Sequence, residues 1–357
     1  MLLVRNSAEK EWTAVAEDVV DSVESLERRL SEPSEVDRTF MRGLQGDIII
    51  LGAGGKMGPS LAKLAKRAAD EAGVRKRITA VSRFASEAVR RELKSDGVVV
   101  IACDLLNPSE VNRLPDCENV LYLAGRKFGS TGRPDLTWAM NAIAPALSAF
   151  HYRRSRVVAF STGNVYGFTT VSSGGSRETD AVSPVGEYAQ SCLARERIFE
   201  YHSNEYKTEC LIFRLNYAVD LRYGVLVDIA RKVRSGEPVD VTVPAFNAIW
   251  QRDANSYALR SLDLCSSPPR ILNVTGSETI AVREVAHYFA TQFGHGPTIQ
   301  GQEGSSALLS DASLCHRLLG RPLVSFPMLR DWVADWVIKG GENLHKPTHF
   351  EVVDGNY

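Results

Sequence analysis

A short apolar run, Ile48-Ile49-Ile50-Leu51, leads directly into Gly52-Ala53-Gly54-Gly55-Lys56-Met57-Gly58, and helical periodicity follows from Pro59 to Ala72. Four consecutive large aliphatic residues leave no polar face, so the run reads as a strand buried on both sides. Glycines let the turn after it close tightly and let backbone amides approach a pyrophosphate at the positive end of the following helix. Any tight strand-to-helix turn can use glycine. This one reads as a dinucleotide site because it opens an alternating series. Arg77–Val81, Gly97–Ala102, Asn119–Leu123 and Arg156–Phe160 read as further short strands, with helical stretches at Ala85–Lys94 and Leu136–Phe150 between them. Thr208–Arg214 and Arg270–Val274 extend the set. Apolar strands alternating with helices predict an α/β fold, a doubly wound parallel sheet covered on both faces.

Composition excludes several classes of partner. The chain has 357 residues and a formal charge of −1, from 42 Lys+Arg against 43 Asp+Glu, so no global field recruits nucleic acid or acidic lipid. No stretch approaches the 18 or more apolar residues of a membrane helix, and Met1-Leu2-Leu3-Val4-Arg5 is charged too soon for a secretory segment. Cys103, Cys117, Cys192, Cys210, Cys265 and Cys315 are widely spaced, which fits reduced cytoplasmic thiols better than a disulfide frame or a metal site. Trp12, Val15, Val19, Val23, Leu26 and Leu30 form one stripe of an amphipathic helix. That helix is expected to dock on its own domain or on a partner subunit, and Ser31-Glu32-Pro33-Ser34 reads as a linker after it.

Gly52, Gly55 and Gly58 are spaced G-x-x-G-x-x-G, and later segments follow in register. Asp104 and Leu105 end the third strand; Leu123-Ala124-Gly125 makes a small-residue turn after the fourth; Asn141 lies mid-helix. Phe160-Ser161-Thr162-Gly163-Asn164-Val165-Tyr166-Gly167 is followed by Pro184, Tyr188 and Glu196, then Arg214-Leu215-Asn216, Asn273-Val274-Thr275-Gly276 and Leu319-Gly320. This series resembles the extended short-chain dehydrogenase/reductases, the subgroup of the NAD-dependent epimerases and dehydratases, over roughly residues 46–340. The resemblance implies a Rossmann-type sheet with a small C-terminal α/β substrate lobe. It implies that Gly52, Gly54, Gly55, Lys56, Met57, Gly58, Ser82, Arg83, Asp104, Leu105, Leu123, Ala124, Gly125 and Tyr188 surround a dinucleotide, with Asp104 on the adenine. By the same resemblance Thr162 holds a substrate oxygen, Tyr188 carries the proton, Asn141 supports them, and Asn164 and Asn216 face the substrate.

One position departs from the pattern. Where the subgroup has a lysine four residues after the tyrosine, this chain has Cys192. A free tyrosine has a pKa of ~10 and needs a nearby cation to act as a base near neutrality. Arg195 is on the same helix but seven residues from Tyr188, about 10 Å along the axis, so direct replacement looks strained. Cys192 reads as a candidate site residue by position and as an inert packing thiol by its apolar surroundings. Three readings stay open: an NAD(P)-dependent oxidoreductase or epimerase acting on a sugar or polyhydroxylated substrate through Thr162 and Tyr188, an enzyme that keeps the cofactor but has moved its acid/base duty to another residue, and a catalytically impaired dinucleotide-binding sensor or scaffold.

The second strand ends Val81-Ser82-Arg83 without a carboxylate to bind a ribose 2′-hydroxyl, which favours NADP over NAD. Arg222, Arg231 and Arg252 are candidate anion clamps, Arg252 the one assigned to substrate; Trp250 and Asp253 read as structural. The chain is expected to divide into an N-terminal helical extension (1–45), a mainly dinucleotide-binding part (46–215), a mainly substrate-binding lobe interleaved with late sheet elements (216–340) and a tail (341–357). The tail, with Phe350 as an aromatic anchor, is expected to drape over the domain or a neighbouring subunit, and His349 in it reads as solvated. The resemblance implies a homodimer formed through the helices carrying Asn141 and Tyr188.

Overall fold

The computed structural model describes residues 20–127, 129, 132–346 and 348–355. The first half of the amphipathic stripe, Trp12 to Val19, lies outside the described residues. From there helix α1 spans Val23–Leu30, capped by Ser22, whose hydroxyl accepts from the Ser25 amide. Leu26 and Leu30 of its apolar stripe are fully buried, so the helix docks on its own chain. Ser31–Ser34 is a tight turn into a second helix, α2 (Glu35–Gly43), which the sequence pattern does not announce. Met41 of that helix is buried in the apolar core with Phe40 packed against it, and its other buried side chain is Asp37.

β1 (Ile48–Leu51) is wholly buried and leads into α3 (Gly58–Glu71). Next come β2 (Ile78–Ser82), α4 (Glu87–Ser95), β3 (Val99–Ala102) and β4 (Asn119–Tyr122). α5 (Pro134–Trp138) runs through a π-helical turn at Ala139–Ile143 into α6 (Ala144–His151). β5 (Arg156–Thr162), α7 (Gly186–Tyr206), β6 (Cys210–Leu215) and β7 (Arg270–Val274) complete the sheet region. The seven strands are all parallel, in the order β7-β6-β5-β4-β1-β2-β3. The order reverses between β1 and β4, the switch point at which open sheets of this kind bind ligands. This is the Rossmann-type α/β sheet anticipated from the alternation.

The two faces of the sheet bury separate apolar layers, one with Leu61, Ala65 and Ala69 of α3, the other with Tyr122, Tyr152 and Phe199. A third layer belongs to the C-terminal lobe: α8 (Val225–Ser235), α10 (Val282–Phe293) and α11 (Phe326–Ile338) pack around Val227, Phe246, Phe289 and Trp250. Helix α9 (Gln251–Arg260) returns the chain to α3 of the sheet domain. Among the described residues no helix is long and apolar enough to cross a membrane, and no cluster of metal-ligating side chains occurs.

Candidate functional site

The C-terminal ends of β1, β2, β4, β5 and β6 converge on one cleft. At its floor Gly52 has φ +89°, and a Cβ there would lie 2.5 Å from the Ala124 amide nitrogen. Glycine is therefore what allows Leu123-Ala124 to pass directly over the turn. A Cβ on Gly58 would strike the Ala53 backbone, and one on Gly54 would come within 2.6 Å of Ser82 Oγ. Gly54 and Gly55 are exposed just before a 14-residue helix, and the Gly55 amide closes the turn by donating to the Gly52 carbonyl at 3.1 Å. An exposed glycine turn at a helix N-terminus suits a diphosphate, so the residues present fit a dinucleotide. Ser82 lies against this turn and Arg83 is exposed beyond it. Leu105 is buried in the core, and Asp104 turns its carboxylate to the Leu106 amide at 3.0 Å.

Lys56 leaves the same turn toward the lobe. Its Nζ donates to the Ala218 carbonyl at 3.1 Å and sits 3.7 Å from the centre of the Tyr223 ring. Burial pulls the ammonium down to about 7, against the field of Asp220 and with that of Lys127. Met57 is half-buried and packs on the sheet core.

Thr162 ends β5 and caps a short 3-10 turn; its hydroxyl donates to Asn164 Oδ1 at 2.9 Å and accepts from the Asn164 amide. Tyr188, in the first turn of α7, faces both Thr162 and Cys192. Burial, reinforced by Cys192, holds the phenol well above its ordinary value, while Arg195 opposes the rise. Burial likewise pushes the Cys192 thiol up, so the buried sulfur is a neutral thiol and not a poised nucleophile. Asn141 comes from the π-helical turn of the facing helix, an interruption frequent at functional sites. Its amide donates to Ser191 Oγ and to the Arg126 carbonyl, both at 2.9 Å, and its oxygen accepts from the Arg126 amide at 2.8 Å.

Arg195 reaches further than its sequence position suggests. Helical side chains lean toward the N-terminus, and here the guanidinium folds back to donate to Asn141 Oδ1 at 2.6 Å and to the Phe160 carbonyl at 2.9 Å. A Cβ on Gly125 would lie 2.5 Å from Arg195 Nη2, so the small residue after β4 makes room for this charge. A second cation, Lys127, faces the Tyr188 ring with Nζ 5.8 Å from its centre and donates to the Thr348 carbonyl at 3.1 Å.

Behind the cleft five residues of the motif series form one buried network. Arg214 clasps Glu196 through Nε at 2.9 Å and Nη2 at 2.6 Å, and its Nη1 donates to Tyr166 Oη at 2.6 Å. Tyr166 donates to Asn273 Oδ1, and Ser161 donates to Glu196. On the substrate side Asn216 is buried against Gly163, where a Cβ would meet it at 3.1 Å; Ser310 Oγ is equally near and has no protein partner.

The arginines singled out as anion clamps are committed elsewhere. Arg252, assigned to substrate from the sequence, is buried instead against the N-terminal segment: Nη2 meets Asp37 at 2.9 Å, Nε the Glu32 carbonyl at 2.8 Å and Nη1 Asp253 at 3.2 Å. Its donors are consumed because α2 packs on α9, a contact that no local pattern encodes. Arg222 is paired with Asp220 and Glu27, and Arg231 donates to the Gly341 carbonyl. The tail lies over its own domain: Thr348 donates twice to Asp228, Phe350 is buried in the lobe, and Gly355 abuts Val185 and Gly186 at the start of α7. The strap is the tail expected from the sequence to drape over the domain or a neighbouring subunit, whereas Lys127 and Ser310 are absent from the sequence reading; a cation two residues beyond the small-residue turn was the one signal available.

Comparison with known proteins agrees with the fold. The sequence profile described as the NAD dependent epimerase/dehydratase family matches residues 48–242. No curated protein sequence matches the chain. Among solved structures, Pal from Bacillus thuringiensis is 17% identical with a TM-score of 0.67, covering 82% of this chain and 99% of its own. UDP-glucose 4-epimerase from Thermotoga maritima is 16% identical with a TM-score of 0.67 and the same coverage. UDP-glucuronic acid 4-epimerase from Bacillus cereus, solved as a tyrosine-to-phenylalanine mutant in complex with a fluorinated UDP-sugar and NAD, is 16% identical. Its TM-score is 0.69 over 82% of this chain and 99% of its own. At this identity the likeness establishes the fold, and the profile, spanning more than half of the chain, establishes the family. The chain therefore belongs to the NAD dependent epimerase/dehydratase family, and with it to the enzymes that work through a nicotinamide dinucleotide.

Proposed function

We propose that the protein oxidises, reduces or epimerises a sugar or other polyhydroxylated substrate through hydride transfer, with Thr162 and Tyr188 at the reacting oxygen. One observation carries the reading: Thr162 and Cys192 both face Tyr188 at the end of β5, beside the glycine turn and the Asn141 helix. A bound nicotinamide supplies the hydride acceptor and donor. Tyr188 takes the hydroxyl proton as the carbonyl forms and returns it on reduction, while Thr162 holds the same oxygen. Asn164 and Asn216 line the substrate side. NADP is the proposed cofactor, with NAD the alternative, because no carboxylate occurs between Val81 and Phe84 while Ser82 and the exposed Arg83 do. The relatives solved with UDP-sugars support the substrate class.

The proposed assembly is a homodimer. Ile143 and Phe150 are more than half exposed on the π-helical turn and α6, and Tyr201 is 58% exposed on α7, whose Tyr206 stands 6.3 Å from the Phe150 ring. Aromatic and aliphatic groups concentrated on two adjacent helices suit a self-complementary interface. Six free thiols suit a reducing, cytoplasmic compartment.

The test is incubation of the purified protein with NADP or NAD and a panel of nucleotide-activated and free sugars, following the absorbance of the reduced nicotinamide. The expected result is turnover that falls by about 10²–10⁴ in Tyr188→Phe with dinucleotide affinity retained. Dinucleotide binding without turnover in either protein would instead favour the sensor or scaffold reading, to which the missing lysine points.

A further inference from the structure

A tyrosine that carries a proton in a half-buried site needs a lasting positive charge, and position 192 offers a thiol. The groups facing Tyr188 are Thr162 from the end of β5, Cys192 and Arg195 from its own helix, and Lys127 from the loop after β4. Two of these are cations, and they differ in one respect. Lys127 is pulled down to about 8 by burial, against the field of Asp228, so it discharges before a tyrosine titrates. A guanidinium keeps its charge throughout.

Arg195 also lacks what a structural arginine has. It is only 6% exposed, its Nη atoms meet an amide oxygen and a carbonyl, and its Nε has no partner. Among the described residues no carboxylate lies within ion-pairing distance of it, because the adjacent Glu196 is taken by Arg214. An unneutralised buried charge is costly and is retained where its field has a use. The chain of contact runs from the guanidinium to the Asn141 amide, 4.0 Å from Cys192 Sγ, and from that thiol to Tyr188. Gly125 keeps the space open.

We propose that Arg195 is a positioning residue that supplies to Tyr188, across Asn141 and Cys192, the positive charge that a lysine at position 192 would have supplied. The proposal rests on the reading of Tyr188 as the proton carrier and deepens it. Arg195 acts through Asn141 and Cys192, by favouring the phenolate.

The test reads Tyr188 itself and needs no substrate. The protein is labelled with trifluorotyrosine, which lowers phenol titration into a range the fold tolerates, and the Tyr188 fluorine resonance is assigned by its loss in Tyr188→Phe. Arg195→Gln is expected to raise the Tyr188 midpoint by about one to three pH units, and Arg195→Lys to restore most of that shift. An unchanged midpoint in Arg195→Gln overturns the proposal. Should that variant fail to fold by circular dichroism, Gly125→Ala decides: displacing the guanidinium should raise the midpoint, and no change overturns the proposal. Because the readout is a titration, absence of turnover under every condition would defeat the catalytic reading while leaving the effect of Arg195 measurable.

Discussion

Arg214 and Arg195 are both buried beside the strand that ends at Thr162, and they are held in opposite ways. Arg214 is clasped by Glu196 on two nitrogens and by Tyr166 on a third, so its charge is spent within the fold. Arg195 meets only neutral acceptors, and its charge extends to Tyr188 and Cys192. The two arrangements come from neighbouring positions of one helix, where Glu196 points to the network and Arg195 toward the cleft. The difference separates a charge that holds the sheet together from one available to chemistry.

Breaking the first arrangement should have the larger effect on stability. Glu196→Gln strands the Arg214 guanidinium and is expected to cost about 3–5 kcal/mol in urea unfolding. Asp37 gives a second paired case. Burial alone would raise its carboxyl, but Arg252, Ser256, Arg260 and Ser34 outweigh it and hold it below the ordinary 3.8. The unfolded chain therefore binds that proton first on acidification. The stabilisation is full at neutral pH and is lost as pH falls below about 4 through the folded value. Asp37→Asn should remove about 2–4 kcal/mol at pH 7 and much less at pH 3, as followed by unfolding at the two pH values.

Lys56 sharpens the contrast from the cofactor side. With its ammonium drawn down to about 7, it is charged below that pH and neutral above it. Dinucleotide affinity should accordingly decline as pH rises past about 7, and Lys56→Met should bind about tenfold more weakly at pH 6 with a flatter pH profile, as measured by calorimetry. The smallest change in stability is expected at the carboxylate-free arginine. Arg195→Gln removes two hydrogen bonds but strands no opposite charge, so unfolding should shift by about 1 kcal/mol. A loss comparable to that of Glu196→Gln would make Arg195 a structural residue like Arg214.

Much of this site was readable in one dimension. Gly52 and Gly58 are demanded by backbone geometry at the turn, and the strands appear within a residue or two of their apolar runs. Tyr166, Glu196, Arg214 and Asn273 were each visible as motif residues, but their union in one network was not, since β5, α7, β6 and β7 meet only in the folded sheet. Arg252 shows the reverse. From the sequence Arg252 reads as an anion clamp, and only the docking of α2 brings Asp37 to it. Helix α2 was illegible because most of its packing face is polar, with an ion pair in place of an apolar stripe.

The sequence by itself determined the succession of the sheet strands, the glycine turn after the first of them and the thiol at position 192. These are encoded in adjacent residues, through hydrophobic period and the conformational freedom of glycine. Only the tertiary structure decided which charge answers which. Arg195 and Arg252 are alike as residues, and their environments separate them: one is left without a carboxylate beside a tyrosine, the other is enclosed by Asp37 and Asp253. Coulomb energies depend on distances between residues far apart in the chain and on how far water is excluded, and packing alone sets both.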